Sequence, residues 1–313
     1  MCFELSMAPQ TETLSRPSRQ PPTQLSITNS FISICSKKVS TQINNARLYS
    51  QQVIVDLNIL SQKIRVHSEN NEDTFEIFTY SWSSLNSNAH QFVIAGCTIR
   101  GTSISKGIQI FWKNHSEGFV SVIQHLLKMF QCKISTIINR LNCDLYQPVV
   151  SELFHLQLEF KKLTISIDGS KRRNLLWNQI ANNLGLVEDL IIVTILPSVF
   201  VPVFTSWPQN INITSSFWFT LKATCTCTTI TLWGSYLSSM DLDEILKKWK
   251  TGGFPNLERL EIHSDNIEDD GTMILGMNLE ELNAKVIQTD DGSKKATINT
   301  RYNRIKMYVT PFD

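Results

Sequence analysis

The sequence predicts an α/β protein, an irregular, leucine-rich-repeat-like array of strands and helices. Two observations carry this. The pattern apolar-x-x-apolar-x-apolar recurs as Leu153-x-x-Leu156-x-Leu158, Val187-x-x-Leu190-x-Ile192, Cys227-x-x-Ile230-x-Leu232 and Leu257-x-x-Leu260-x-Ile262, with Pro208-x-x-Ile211-x-Ile213 as a poorer copy. It is the pattern of repeats in which one apolar strand per unit stacks beside the next. The clearest helix in the chain lies between the last two copies, which are offset by 30 residues at all three positions (227 to 257, 230 to 260, 232 to 262). A strand, a helix and a second parallel strand make the right-handed crossover expected of such units.

That helix is predicted from its ends and its face. Ser238 and Asp241 form a capping pair, and Asp241, Asp243 and Glu244 sit at the positive end of the dipole. Leu242, Ile245, Leu246 and Trp249 fall on one face, and Lys247, Lys248 and Lys250 sit at the negative end. Gly252-Gly253 and Pro255 end it. A second helix is expected from about Asn174 to Leu184, stopping at Gly185. Upstream, residues 63–118 are strand-rich: Phe75 to Tyr80 alternates, Gln109 to Trp112 does so in part, and Gln91 to Arg100 reads as one strand ending at Gly101. Phe119 to Phe130 is an apolar helix candidate. The C-terminus closes with a hairpin, Val286 to Gln288 and Ala296 to Ile298 about Asp291-Gly292, followed by a strand over Arg304 to Val309.

The N-terminal part differs in composition. Residues 1–26 hold Pro9, Pro17, Pro21 and Pro22 among Ser, Thr and Gln, too polar to offset the entropy of ordering. From Ile27 the pattern becomes helical: Ile27, Phe31, Ile34, Cys35, Val39 and Ile43 share one stripe, with Ser26 as N-cap. The expected organisation is a disordered segment over 1–26, a short helical segment over 27–62, a strand-rich middle region over 63–174 continuous with the array, and a C-terminal domain over 175–313.

Composition excludes some functions. Lys and Arg total 29 against 28 Asp and Glu, so nothing general points to nucleic acid or an anionic membrane as partner. The longest apolar run, Leu190 to Phe204, is broken by Thr194, Pro197, Ser198 and Pro202 and is too short to span a bilayer. No signal peptide is evident. Seven scattered cysteines form no disulfide framework and indicate a reducing compartment, cytoplasmic or nuclear.

No catalytic constellation is present. The chain lacks the phosphate-loop, dinucleotide-binding, zinc-protease and nucleophile-elbow motifs, so no enzyme activity and no cofactor are expected. Cys225-Thr226-Cys227 raises the question of a metal, but the nearest further ligand is the single His263, and Cys227 holds an inward repeat position; packing, not metal, is expected. Glu258, Glu261, Asp265 and the run Glu268 to Asp270 lack the spacing of a calcium loop and read as solvated surface. Trp233 and Tyr236, following the strand Thr229 to Leu232, and His263, after the Leu257 copy, are the candidate partner-contacting residues.

Several blocks resemble the type-2 F-box-associated domain, expanded in nematodes. They are Pro202 to Asn210 (PVFTSWPQN), Trp218 to Leu221, Asp241 to Trp249, Gly252 to Leu257 and Asp291 to Ala296. The resemblance covers roughly residues 175–312. In that family an F-box precedes the domain and binds the adaptor subunit of SCF-type ubiquitin ligases. Ile32 to Val39 resembles the second half of an F-box, whereas residues 5–26 show no counterpart of the family's Leu-Pro pair. The resemblance implies a protein-binding substrate-recognition subunit of such a ligase. Ile27, Phe31, Ile34 and Cys35 of an F-box remnant would meet the adaptor, and the C-terminal domain would hold an unknown target through Trp233, Tyr236 and His263. The alternative is an interaction module that has lost adaptor binding.

Overall fold

The computed structural model describes residues 53–58, 61–68, 74–82, 89–94, 96–130, 133–138, 151–156, 159–167, 177–178, 180–194, 203–221 and 225–311. The expected helix carrying Ile27, Phe31, Ile34 and Cys35 lies outside these residues. Within them the chain is mixed α/β, mostly one large sheet with few helices.

In chain order the strands are β1 (Val53–Asn58), β2 (Lys63–Ser68), β3 (Thr74–Ser81), β4 (His90–Ile94), β5 (Cys97–Ile104) and β6 (Gly107–Trp112). Helix α1 (His115–Phe130) precedes β7 (Lys133–Ile138), β8 (Phe160–Ile167), β9 (Val187–Thr194), β10 (Asn210–Ile213) and β11 (Thr229–Ser235). Helix α2 (Ser239–Lys250) leads to β12 (Arg259–Ser264), and the short α3 (Leu279–Leu282) to β13 (Lys285–Gln288), β14 (Lys294–Arg301) and β15 (Arg304–Pro311). The sheet order is β13-β14-β15-β12-β11-β10-β9-β8-β7-β1-β2-β3-β6-β5-β4. From β12 through β7 to β1 every neighbouring pair is parallel. Antiparallel strands flank this run on both sides.

The apolar pattern becomes register. Leu190 faces Ile211, Ile211 faces Ile230, and Ile230 faces Leu260 across four adjacent strands; Ile192, Ile213, Leu232 and Ile262 form the next row. All eight are fully buried. β15 continues both rows with Met307 and Ile305. Helix α2 covers this face with Leu242, Ile245, Leu246 and Trp249, and its start is the expected capping box, Ser238 accepting from the Asp241 N–H while Asp241 accepts from Ser238 N–H. At the N-terminal ends of the strands Glu188 accepts from Lys133 (3.0 Å) and Lys161 (2.5 Å), tying β7, β8 and β9 together.

Several expectations are corrected. Residues 151–155 are helical, not a strand, and Leu156 is exposed; the strand of that region is β8, with Phe160, Leu163 and Ile165 buried. The i, i+3 spacing of Leu153 and Leu156 is equally the spacing of one helix face. The poorer copy at Pro208 is a true strand, β10. The single strand expected over Gln91 to Arg100 is two, β4 and β5, because Gly96 at φ 79° turns the chain. Within the helical segment expected over 27–62, the described residues Val53–Asn58 form a strand, β1, with Val53, Val55 and Leu57 alternating inward. Of the second expected helix, the described residues 177, 178 and 180 are helical, and a 3₁₀ turn, Ala181–Leu186, follows and runs through Gly185, where a stop was expected.

Trp249, 1% exposed, fills the space between α2 and the sheet. Trp249→Ala is expected to cost about 3–5 kcal/mol of unfolding free energy in urea denaturation. Met240→Ala, on the same helix but 71% exposed, is the near-neutral control.

Candidate functional site

The strands alternate, so the face opposite the helices carries the intervening residues. Across β10, β11 and β12 these are Asn210, Thr229 and Arg259, then Asn212, Thr231 and Glu261. β15 adds Tyr308, Lys306 and Arg304, paired in register with Arg259, Glu261 and His263. We call this the open face; among the described residues no helix covers it.

Trp233 and His263 meet on it. Their rings stack at 3.7 Å between centroids with an interplanar angle of 17°. Trp233 stays 41% exposed. The imidazole is fixed from its other side, its Nε2–H donating to Glu261 at 2.8 Å. Glu261 is the centre of the cluster. It lies on the open face yet is 2% exposed, because Arg259 donates to it at 2.8 Å, Arg304 also bonds to it and Lys306 stands 3.9 Å away. Burial works against its charge, but the hydrogen bonds from His263, Arg259 and Arg304 outweigh burial and hold the carboxyl at about 2. Arg259 in turn lies over the Tyr308 ring, 5.7 Å from its centroid.

Tyr236 is placed apart from this stack. Gly234, at φ 54°, lets β11 bulge between Leu232 and Ser235. The chain then leaves the sheet, and Tyr236, 70% exposed, sits beside Phe217 with centroids 5.7 Å apart. Ser264 Oγ donates to the carbonyls of Ser235 and Leu237, and Asn266 Nδ2 to that of Tyr236, so the exit from β11 is held to the end of β12.

Glu261 was expected to be solvated surface; the structure corrects this. The signal lay in the alternation Arg259-x-Glu261-x-His263, which puts all three on one face of a strand. The partners Arg304 and Lys306 come from β15, which no local pattern connects to β12. Cys225 and Cys227 are fully buried members of the core. Hydrogen bonding with Cys225 and burial push the Cys227 thiol up, so it stays protonated. No group of three or more His, Cys, Asp or Glu residues able to hold a metal ion occurs among the described residues.

The loop before β10 is built from packing. Phe204 stacks on Trp207 at 4.8 Å and meets Trp177 and Phe219 edge-on at 5.2 and 5.5 Å. Ser206 Oγ donates to the Ala181 carbonyl and accepts from Leu184 N–H, tying the loop to the 3₁₀ turn before β9. These residues secure neighbouring strands and leave the open face to others.

Residues 204–262 match the family model described as F-box associated. The match runs from this aromatic loop through β10, β11 and α2 into β12, and so contains Trp233, Tyr236 and Glu261 and ends next to His263. No curated protein and no solved structure matches the chain. No helix among the described residues is long and apolar enough to cross a membrane.

The low acidity of Glu261 gives a pH test. Its folded value of about 2 lies below its ordinary 4.5, so its contribution is complete above pH 4.5 and is lost as pH falls towards 2. Glu261→Gln is expected to lower stability by roughly 3 kcal/mol at neutral pH, with the gap to wild type closing as the pH of the urea titration is taken down to about 2.

Proposed function

We propose that this chain is a protein-binding substrate-recognition subunit of an SCF-type ubiquitin ligase. In this reading the region Ile27 to Ile43 meets the adaptor through Ile27, Phe31, Ile34 and Cys35, and the open face around Trp233 and His263 holds a target protein. The strand array acts as a leucine-rich-repeat-like scaffold, the chain itself does no chemistry, and ubiquitin transfer belongs to other subunits. The observation that carries the reading is the F-box-associated match over 204–262, because it covers the strands that present the Trp233–His263 stack. A half-exposed tryptophan held rigid by a histidine, beside arginines, has the composition of a binding hot spot.

A second reading is favoured by one observation: residues 5–26 lack the Leu-Pro pair of a complete F-box. In it the chain binds its partner without recruiting a ligase.

Co-expression with the SCF adaptor separates the two. Capture of the adaptor by the full chain, lost in Phe31→Ala/Ile34→Ala, is the expected result. Failure of the full chain to capture it, with capture restored when an intact F-box is grafted ahead of residue 27, establishes the second reading instead. For the target site, Trp233→Ala is expected to weaken retention of partner proteins about tenfold or more while the melting temperature stays unchanged. Undiminished retention places the target elsewhere.

A further inference from the structure

We infer that the open face of β12, β14 and β15 takes an acidic segment of a partner protein, laid over Arg259, Arg301, Arg304 and Lys306 and anchored on Tyr302. This rests on the target-binding reading above and supplies the partner's chemistry.

The charge on this face is one-sided. By register and alternation β12 contributes Arg259, Glu261 and His263, β15 contributes Arg304 and Lys306, and β14 contributes Lys295 and Arg301. Five permanent cations thus share the face with one carboxylate, in a chain whose net charge is only +1. Glu261 is already engaged by Arg259, His263 and Arg304, and is buried beneath them. Arg304 keeps a buried Nε without a hydrogen-bond partner. Arg301 and Arg304 stand directly opposite one another across the hairpin. Like charges so placed repel, and an anion laid between them offsets the repulsion.

The hairpin tip supplies the anchor. Tyr302 is 96% exposed and has φ 40°, and Asn303 follows at φ 56°. Tyrosine seldom adopts this left-handed conformation, and such strain persists only where the surroundings enforce it. Here Asn303 Nδ2 donates to Asp265 at 3.1 Å and its carbonyl accepts from Ser264 N–H at 2.9 Å. The aromatic ring is therefore presented on a fixed turn between two arginines.

A cavity of about 260 Å³ behind the tip is also lined in part by Arg301, Tyr302 and Arg304, but Asp269 and Glu280 line it with them and repel an anion there, so the acidic segment belongs on the open face. A polypeptide fits better than a polynucleotide. The cationic patch is small, is interrupted by Thr297, Asn299 and Thr310, and has a carboxylate at its centre, whereas a polynucleotide requires a continuous track of cations.

The test is selection of phage-displayed random dodecapeptides on the purified full chain. The selected peptides are expected to be rich in Asp and Glu and to bind more weakly as salt is raised. Arg301→Ala and Tyr302→Ala should each lower their affinity about tenfold or more. Tyr302→Gly suits the left-handed turn, so it should fold at least as stably as wild type yet bind as poorly as Tyr302→Ala. Selection of peptides without acidic bias, or of none, overturns the inference. So does acidic-peptide binding that is unchanged in Arg301→Ala and Tyr302→Ala, or displaced equally by a single-stranded oligonucleotide. Partner retention that depends on Trp233 but not on Tyr302 sinks this inference and leaves the target-binding reading standing. Acidic peptides bound through Tyr302, with retention indifferent to Trp233, do the reverse.

Discussion

The structure depends on the in-register stacking of apolar residues across parallel strands. Leu190, Ile211, Ile230 and Leu260 form one row and Ile192, Ile213, Leu232 and Ile262 the next. A parallel strand has no hairpin to hold it, so its backbone groups and its apolar face are satisfied only by the strand on either side. Alternation then decides everything on the other face. Once Leu260 and Ile262 are committed inward, Arg259, Glu261 and His263 must point outward together, and a slip of one residue would bury all three.

That constraint explains what could be read from sequence. The copies at Val187, Cys227 and Leu257 became β9, β11 and β12, and the 30-residue offset of the last two is the register of β11 on β12. Helix α2 was legible because its cap, dipole charges and apolar face agree. The copy at Leu153 misled because three-residue spacing suits a helix as well as a repeat. β1 and β7, the strands that join the two halves of the sheet, were missed; in Lys133 to Ile138 the buried face carries the polar Thr136 and the open face the exposed Ile137, so the alternation that would declare a strand is broken. At the site, Trp233 and His263 were identified as separate candidates and stack together. Glu261 was not identified, because its partners on β15 are more than 40 residues away and only tertiary pairing brings them within bonding distance.

The blocks that resemble the F-box-associated domain have a division of labour. Phe204, Ser206, Trp207 and Phe219 tie loops and strands together, and Ser238, Asp241 and Trp249 make and seat α2. These are requirements of folding. The exposed residues facing outward between them, above all Trp233, meet no such demand from the core. A recognisable scaffold and an individually shaped surface can therefore coexist in one short stretch of chain.

Among the described residues the sheet holds fifteen strands in a single order, β13 at one margin and β4 at the other. At about 4.8 Å per strand the margins stand on the order of 65 Å apart along the hydrogen-bonding direction. Each strand feels its immediate neighbours and little else, so the molecule is energetically close to a one-dimensional chain of linked units. Variation on the β12–β15 surface is thereby insulated from the β4–β6 end. A lineage could rewrite what one end recognises while the other end remained unchanged.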